Sequence, residues 1–130
     1  DGRYRTIAKK QSRAICGLSM GGFHSLYISL NNPDMFNYVG LFSAAVGVTD
    51  PSISPIYQDL DAKLAVQFAK KPALYYIAIG NTDFLYKANT EYRAKLDAAG
   101  YPYEYWETDG GHIWRNWRKY LDAYAQKLFK

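Results

Sequence analysis

The amino-acid sequence predicts an α/β fold with a parallel sheet. Apolar, strand-like runs alternate with segments of helical periodicity along the 130 residues. A crossover through a helix returns the chain to start the next strand in the same direction, so strands joined in this way run parallel. The length and the 48% hydrophobic content suit one packed domain over residues 1–130.

Four strands and four helices are predicted from the spacing of apolar residues. The strands lie at residues 13–16, 38–45, 75–80 and 103–108. The helices lie at residues 21–30, about 56–70, about 89–99 and from 114 towards the end of the chain. Asn31-Asn32-Pro33 stops the first helix, and Gly100 is a suitable C-terminal glycine for the third.

Two segments carry further expectations. Residues 47–55 contain too many turn formers for regular structure, so this loop is a candidate for shaping a pocket. The last helix is expected to pack against the sheet through one mainly aromatic face. The members of that face are Trp114, Trp117, Leu121, Tyr124 and Leu128.

A candidate nucleophile follows the first strand. The stretch after the apolar run 14–16 fits the G-x-S-x-G pattern and reads Gly17-Leu18-Ser19-Met20-Gly21-Gly22. In this pattern the serine occupies a strained strand-to-helix turn, and glycines flank it because larger side chains would collide with the neighbouring strand or helix. Met20 would begin a helix, so its backbone N–H would point towards charge developing near Ser19. This geometry suits acyl transfer.

A candidate acid and a candidate base follow later strands. Asp83 lies in the loop after strand 75–80, and His112 follows strand 103–108 and Asp109-Gly110-Gly111. The carboxyl ends of parallel strands meet at one edge of a sheet, which gathers these residues near Ser19. The order Ser, Asp, His is that of α/β hydrolases rather than of trypsin-like or subtilisin-like enzymes.

Some alternatives remain open at this point. Asp109 or Glu107 could be the acid in place of Asp83, which could instead cap a helix. His24 has no evident acid or nucleophile beside it, so it is interpreted as a packed or solvent-facing histidine. Trp114 and Trp117 are interpreted mainly as core residues of the last helix, with Trp114 close enough to His112 to border a pocket.

Composition and charge exclude several classes of partner. The net charge of +4 is spread along the chain, without the basic stripe of a nucleic-acid binder. Cys16 is the only cysteine, which excludes an intrachain disulfide and a thiolate zinc cluster. No apolar run has membrane-spanning length. The proposed chemistry requires neither a metal nor an organic cofactor.

Three blocks of sequence resemble a known family. They are residues 13–22 with Asn32-Pro33-Asp34-Met35-Phe36 behind them, Gly80-Asn81-Thr82-Asp83-Phe84-Leu85, and Gly110-Gly111-His112-Ile113-Trp114 with Trp117. Together they resemble the C-terminal half of the esterase-D-like α/β-hydrolases. That group includes feruloyl and acetylxylan esterases, S-formylglutathione hydrolases, enterochelin esterases and mycolyltransferases. The resemblance implies a three-layer α/β-hydrolase sandwich, of which this chain supplies about four strands.

The resemblance also implies roles for individual residues. Ser19 is the expected nucleophile, Asp83 the acid and His112 the base, while the Met20 backbone N–H supplies one oxyanion donor. The candidate pocket residues are Trp114, Leu18 and Phe84. The expected activity is hydrolysis of carboxylic esters through an acyl-enzyme, with feruloyl or acetyl esters of plant polysaccharide as leading substrates. A siderophore-type or short-chain esterase, an acyltransferase and a non-catalytic binding module remain alternatives.

Members of this family are longer than this chain. Their first strands and the loop that gives the second oxyanion N–H lie upstream of the matching region. The chain is therefore expected to depend on that N-terminal half or on a partner chain, and to be weakly active and prone to self-association alone. Its first strand is expected to have an open edge. Secretion or a periplasmic location is suggested by the resemblance alone.

Overall fold

The computed structural model describes residues 2–46 and 59–130, and within them four parallel strands form one sheet. The strands are β1 (Ala14–Leu18), β2 (Tyr38–Phe42), β3 (Leu74–Gly80) and β4 (Glu104–Thr108). Their spatial order is β1-β2-β3-β4, and each neighbouring pair is parallel. The predicted parallel sheet is confirmed. In the part of the chain that is described, β1 pairs on one side only, as expected of an open edge.

Four α-helices alternate with the strands. They are α1 (Met20–Asn31), α2 (Leu60–Ala69), α3 (Tyr86–Ala99) and α4 (Trp114–Ala125). A short 3-10 helix, Lys10–Ser12, precedes β1. Gly100 follows α3 with a left-handed φ of 74°, so the predicted C-terminal glycine is confirmed.

The helices cover both faces of the sheet. Successive strand side chains point to opposite faces, so each face of the sheet has its own main cluster of buried residues. A third, smaller cluster contains Ala45, Ile79 and Leu85. The cluster beneath α1, α2 and α3 contains Leu26, Leu30, Val39, Leu41, Leu64, Phe68, Tyr75, Ile77, Tyr92 and Leu96. The cluster beneath α4 contains Tyr38, Phe42, Leu74, Tyr76, Ala78, Trp117, Tyr120 and Tyr124. The expected three-layer sandwich is therefore confirmed.

Several element boundaries differ from the sequence prediction. Strand β1 continues to Leu18, whereas β2 ends at Phe42 because Ser43 has a φ of 46° and leaves the extended conformation. Helix α3 begins at Tyr86, directly after a turn in which the Tyr86 N–H donates to the Asp83 carbonyl at 3.0 Å. The predicted pocket loop at 47–55 and the predicted helix start at 56 lie outside the described residues.

The predicted packing face of α4 was partly wrong. Trp117 and Tyr124 are buried as expected, but Trp114 is 64% exposed and Leu121 is 52% exposed. The inner face instead includes Tyr120, which is fully buried, and the polar Asn116. Hydrophobicity alone misassigned this face because Tyr120 and Asn116 satisfy their polar atoms inside the fold, Tyr120 by a 2.6 Å hydrogen bond with Thr108.

Candidate active site

Ser19 lies in a strained turn between β1 and α1. Its backbone has φ 54° and ψ −117°, a conformation that non-glycine residues rarely adopt and that costs about 1–3 kcal/mol. Backbone hydrogen bonds hold it there. The Ser19 N–H donates to the Phe42 carbonyl at 2.9 Å, and the Ser19 carbonyl accepts from the Ala45 N–H at 3.0 Å. Ser19 therefore occupies a turn with a positive φ between β1 and α1, at the position where the sequence places the candidate nucleophile.

Two glycines allow neighbouring atoms to pack closely around the turn. A Cβ on Gly17 would overlap the carbonyl group of Gly21, and a Cβ on Gly22 would lie 2.5 Å from the Ala44 Cβ. Gly21 has no atom within 4 Å of the corresponding position. Close packing thus requires glycine at 17 as expected, but on the helix side it requires glycine at 22 rather than at 21.

The structure brings the three predicted side chains into one hydrogen-bonded row. His112 Nε2 lies 2.9 Å from Ser19 Oγ, and His112 Nδ1 lies 2.9 Å from Asp83 Oδ2. In the tautomer with the proton on Nδ1, the Asp83 carboxylate accepts from Nδ1–H and the Nε2 lone pair is left to accept the Ser19 hydroxyl proton. This arrangement can withdraw a proton from Ser19 during nucleophilic attack.

Asp83 is the carboxylate that contacts His112. It is 4% exposed, and its second oxygen, Oδ1, accepts from the Leu85 N–H at 2.9 Å. Glu107, an alternative acid, instead accepts hydrogen bonds at 2.7 and 2.8 Å from the phenols of Tyr86 and Tyr105. These phenols hold the pKa of Glu107 below its usual range.

Asp109, the other alternative acid, is exposed and lies in the loop that carries His112. The Asn116 side-chain amide donates to the carbonyls of Asp109 and Gly111 at 3.0 and 3.1 Å. The Thr82 N–H donates to the Gly110 carbonyl at 3.1 Å, which joins this loop to the acid loop. Gly110 and Gly111 therefore lie in a loop that hydrogen bonds hold to Asn116 and to the acid loop.

The sequence analysis did not identify Asn116. Its only signal was a polar residue beside the predicted core residue Trp117.

Aromatic rings flank the imidazole of His112. The Trp117 ring lies edge-on at 4.9 Å between centroids, and the Phe84 ring lies at 4.7 Å. The Trp117 indole N–H donates to Ser43 Oγ at 3.1 Å, which fixes the indole orientation. The imidazole that contacts Ser19 and Asp83 thus has an aromatic neighbour from α4 and another from the acid loop.

The remaining predicted site residues have different surroundings. Phe84 is 76% exposed, and Trp114 packs edge-on against Trp117 with most of its own ring exposed. Leu18 is half-buried and packs against the α4-side core cluster. Met20 is the first residue of α1, where backbone N–H groups have no intrahelical acceptor. His24 is exposed beside the Phe23 ring and takes no part in the row.

Residues 2–46 and 59–130 contain no group of three or more His, Cys, Asp or Glu side chains that could hold a metal ion. No helix in the same residues is both long and apolar enough to cross a membrane.

Solved structures with the same architecture define the class of protein. A ferulic acid esterase of Anaeromyces mucronatus, solved with ferulic acid, has a TM-score of 0.81 and 25% identity over 98% of this chain and 48% of its own. Another ferulic acid esterase has a TM-score of 0.76 and 30% identity over 98% of this chain and 53% of its own. The S-formylglutathione hydrolase of Staphylococcus aureus has a TM-score of 0.78 and 21% identity over 99% of this chain and 59% of its own, a likeness of fold alone. The chain has the α/β-hydrolase fold.

The family is given by the sequence comparison. The model of the putative esterase family matches residues 1–128, and the chain belongs to this family. It is also 34% identical over its whole length to an endo-1,4-beta-xylanase/feruloyl esterase of Xylanibacter ruminicola, of which it covers 16%. The chain spans between 48% and 59% of the three solved relatives. The expected resemblance to esterase-like α/β-hydrolases is confirmed.

Proposed function

We propose that the protein hydrolyses carboxylic esters through an acyl-enzyme on Ser19. The observation that carries the proposal is the pair of 2.9 Å contacts that His112 makes with Ser19 Oγ and Asp83 Oδ2. A hydroxyl, an imidazole and a buried carboxylate in this order make a weak nucleophile reactive, because the base takes the proton as the new bond forms.

The proposed reaction has two halves. Ser19 Oγ attacks the ester carbonyl carbon while its proton passes to His112 Nε2, and that proton then leaves with the alcohol as the C–O bond breaks. Water next attacks the acyl-enzyme, giving its proton to His112, and the acid departs as Ser19 regains a proton. Asp83 stabilises the imidazolium in each half. The chemistry needs no cofactor.

The negative charge of the tetrahedral intermediate also needs donors. The Met20 N–H stands at the start of α1, where the partial positive charge of the helix end favours an oxyanion. Following the family resemblance, we place the second donor in a segment outside these residues, supplied by the rest of the protein or by a partner chain. Loss of one such donor typically costs on the order of 100-fold to 1000-fold in rate.

We further propose an aromatic acyl ester, such as a feruloyl ester of plant polysaccharide, as the substrate. Two exposed aromatic side chains support this, since Phe84 packs on His112 and Trp114 on Trp117. The names of the relatives at 30% and 34% identity, a ferulic acid esterase and a xylanase/feruloyl esterase, support the same substrate class. Acetyl esters are the second choice.

Ester hydrolysis by the intact protein and two serine variants tests the proposal. We expect hydrolysis of methyl ferulate and p-nitrophenyl acetate by the parent protein, with a higher kcat/KM for the ferulate. Ser19→Ala should abolish both. Ser25→Ala is the matched control, because Ser25 is a buried serine of α1 whose hydroxyl donates to the Gly21 carbonyl at 2.9 Å rather than to His112. Activity of Ser19→Ala equal to that of the parent protein would reject an acyl-enzyme on Ser19. Binding of ferulate by the parent protein without any hydrolysis would instead indicate a binding module.

A further inference from the structure

A buried asparagine on α3 joins two loops of the candidate site. Asn89 is 2% exposed, and both protons of its side-chain amide are used. Nδ2 donates to the Ala44 carbonyl at 2.8 Å and to the Leu85 carbonyl at 3.0 Å. One acceptor follows β2 and the other lies just before α3, so a single side chain connects backbone segments that are far apart in sequence.

The Ala44 end of this connection reaches the nucleophile. The carbonyl of Ala44 and the N–H of Ala45 belong to the same planar peptide unit. That unit accepts from Asn89 on one side and donates to the Ser19 carbonyl at 3.0 Å on the other. Movement of Asn89 is therefore transmitted to the strained turn through one rigid group.

The Leu85 end reaches the acid. The Leu85 N–H donates to Asp83 Oδ1 at 2.9 Å. The Leu85 carbonyl accepts from the Asn89 backbone N–H at 3.0 Å and from Asn89 Nδ2 at 3.0 Å, so the side chain adds a second bond to the one that the helix supplies. Asp83 Oδ2, the other oxygen of the carboxylate, faces His112. The orientation of the carboxylate therefore depends on the position of Leu85, and Leu85 is anchored by Asn89.

We infer that Asn89 is a positioning residue that sets the separation of Ser19 and Asp83. This inference rests on the proposed function. The imidazole of His112 is rigid, so it can contact Ser19 Oγ and Asp83 Oδ2 together only when those atoms stand at one particular separation. Asn89 fixes that separation through one side-chain nitrogen, without touching the substrate or any of the three reacting side chains.

The rate of Ser19 labelling by a fluorophosphonate in the intact protein measures this role. Asn89→Leu keeps a side chain of similar size and removes both side-chain donors. A displacement near 1 Å at a site can cost on the order of 100-fold, so we expect a 10-fold to 100-fold slower labelling of folded protein. Asn89→Ala provides a second variant if the leucine prevents folding.

Tyr92→Phe is the matched control on the same helix. Tyr92 is buried and its phenol shares a 2.6 Å hydrogen bond with Tyr75, away from the acid loop. The Tyr92→Phe variant should have a lower thermal midpoint than the parent protein. Its folded form should be labelled at a rate within about twofold of the parent rate. Equal slowing by Tyr92→Phe and Asn89→Leu would reduce the Asn89 effect to general destabilisation and overturn the inference.

A double-mutant cycle separates positioning from mere support of the fold. If Asn89 acts by orienting Asp83, its replacement in an Asp83→Ala background should slow labelling by no more than about twofold, because groups that act as a unit are strongly non-additive. The full 10-fold to 100-fold loss in that background would contradict the inference. The inference would also be contradicted if the downfield Nδ1–H proton resonance of His112 were the same in Asn89→Leu as in the parent protein. Absence of labelling in the parent protein would instead reject the proposed function.

Discussion

At the scale of the residue, the site depends on Ser19 holding a conformation that its own side chain disfavours. The φ of 54° persists because the Ser19 N–H donates to the Phe42 carbonyl and the Ser19 carbonyl accepts from the Ala45 N–H, which fixes the turn on both sides. Strain of this kind survives only where the surrounding structure determines the backbone, and it is concentrated at functional positions. The glycines at 17 and 22 permit the close approach that makes those bonds possible.

Alanine at Gly17 and at Gly21 should have opposite consequences. Gly17→Ala places a methyl group into the Gly21 carbonyl, and overpacking against backbone costs about 1–3 kcal/mol or more. Gly21→Ala has open space and a helical setting, so stability should be unchanged or rise by about 0.4–1 kcal/mol. Urea unfolding of both variants measures the difference. Equal destabilisation of the two would contradict the packing described for the turn.

At the scale of the element, neighbouring strand ends place the acid beside the base. The Asn81 N–H donates to the Thr108 carbonyl at 2.8 Å, and the Thr82 N–H donates to the Gly110 carbonyl. The chain thus continues to pair for a few residues beyond β3 and β4. This pairing carries Asp83 and His112 to the same place. Helix α4 then completes the arrangement through Asn116 and Trp117.

The two tryptophans of α4 provide a matched test of its packing face. Trp117 is 9% exposed and contacts both His112 and Ser43, whereas Trp114 is 64% exposed. Trp117→Ala should therefore cost about 3–5 kcal/mol of unfolding free energy. Trp114→Ala should cost less than about 1 kcal/mol, because it removes only a ring contact on the surface. Chemical denaturation followed by far-UV circular dichroism gives both values. A larger loss of unfolding free energy for Trp114→Ala than for Trp117→Ala would contradict the packing of the Trp117 side of α4 against the sheet.

At the scale of the whole molecule, the core contains an unusual number of tyrosines. Tyr75, Tyr76, Tyr120 and Tyr124 are all buried in the strands and α4. Burial raises the pKa of Tyr76 to about 12, with smaller contributions from Glu104 and Tyr120. Burial also raises the pKa of Tyr75 and of Tyr124. The fold therefore favours the neutral phenol.

The raised pKa of Tyr76 predicts that the protein loses stability at alkaline pH. The pKa of a tyrosine in the unfolded chain is about 10, so the unfolded state releases protons first as the pH rises. The contribution of Tyr76 is complete below pH 10 and is lost between about pH 10 and 12. Its share of the slope is at most about 1.4 kcal/mol per pH unit. Urea unfolding between pH 9 and 11.5 should show a shallower decline for Tyr76→Phe than for the parent, and identical slopes would contradict the shift.

The sequence carried enough information to predict a parallel sheet and to select the three side chains of the row, but it did not predict the order of the strands. Those features have local signals: glycines around Ser19, and polar loops directly after the strands before Asp83 and His112. The parallel sheet then brings the loops together. The gathering of Ser19, Asp83 and His112 at one edge of the sheet was therefore predictable, although their catalytic roles remain a proposal.

The buried asparagines could not be predicted in the same way. Asn89 and Asn116 bond to backbone carbonyls, and any residue type can supply a carbonyl acceptor. No sequence spacing marks such a partner. The inner face of α4 was misassigned for a related reason, since Tyr120 and Asn116 are buried through hydrogen bonds that hydrophobic periodicity ignores.

Fluorophosphonate treatment of the intact protein, followed by peptide mass mapping, tests the proposed nucleophile most directly. We expect one adduct, on Ser19 Oγ, formed as fluoride leaves phosphorus and the hydroxyl proton passes to His112. The adduct should be absent in Ser19→Ala, and His112→Ala should reduce it by on the order of 1000-fold or more because the base is lost. An unlabelled Ser19, or labelling that persists unchanged in His112→Ala, would show that Ser19 is not a nucleophile activated by His112.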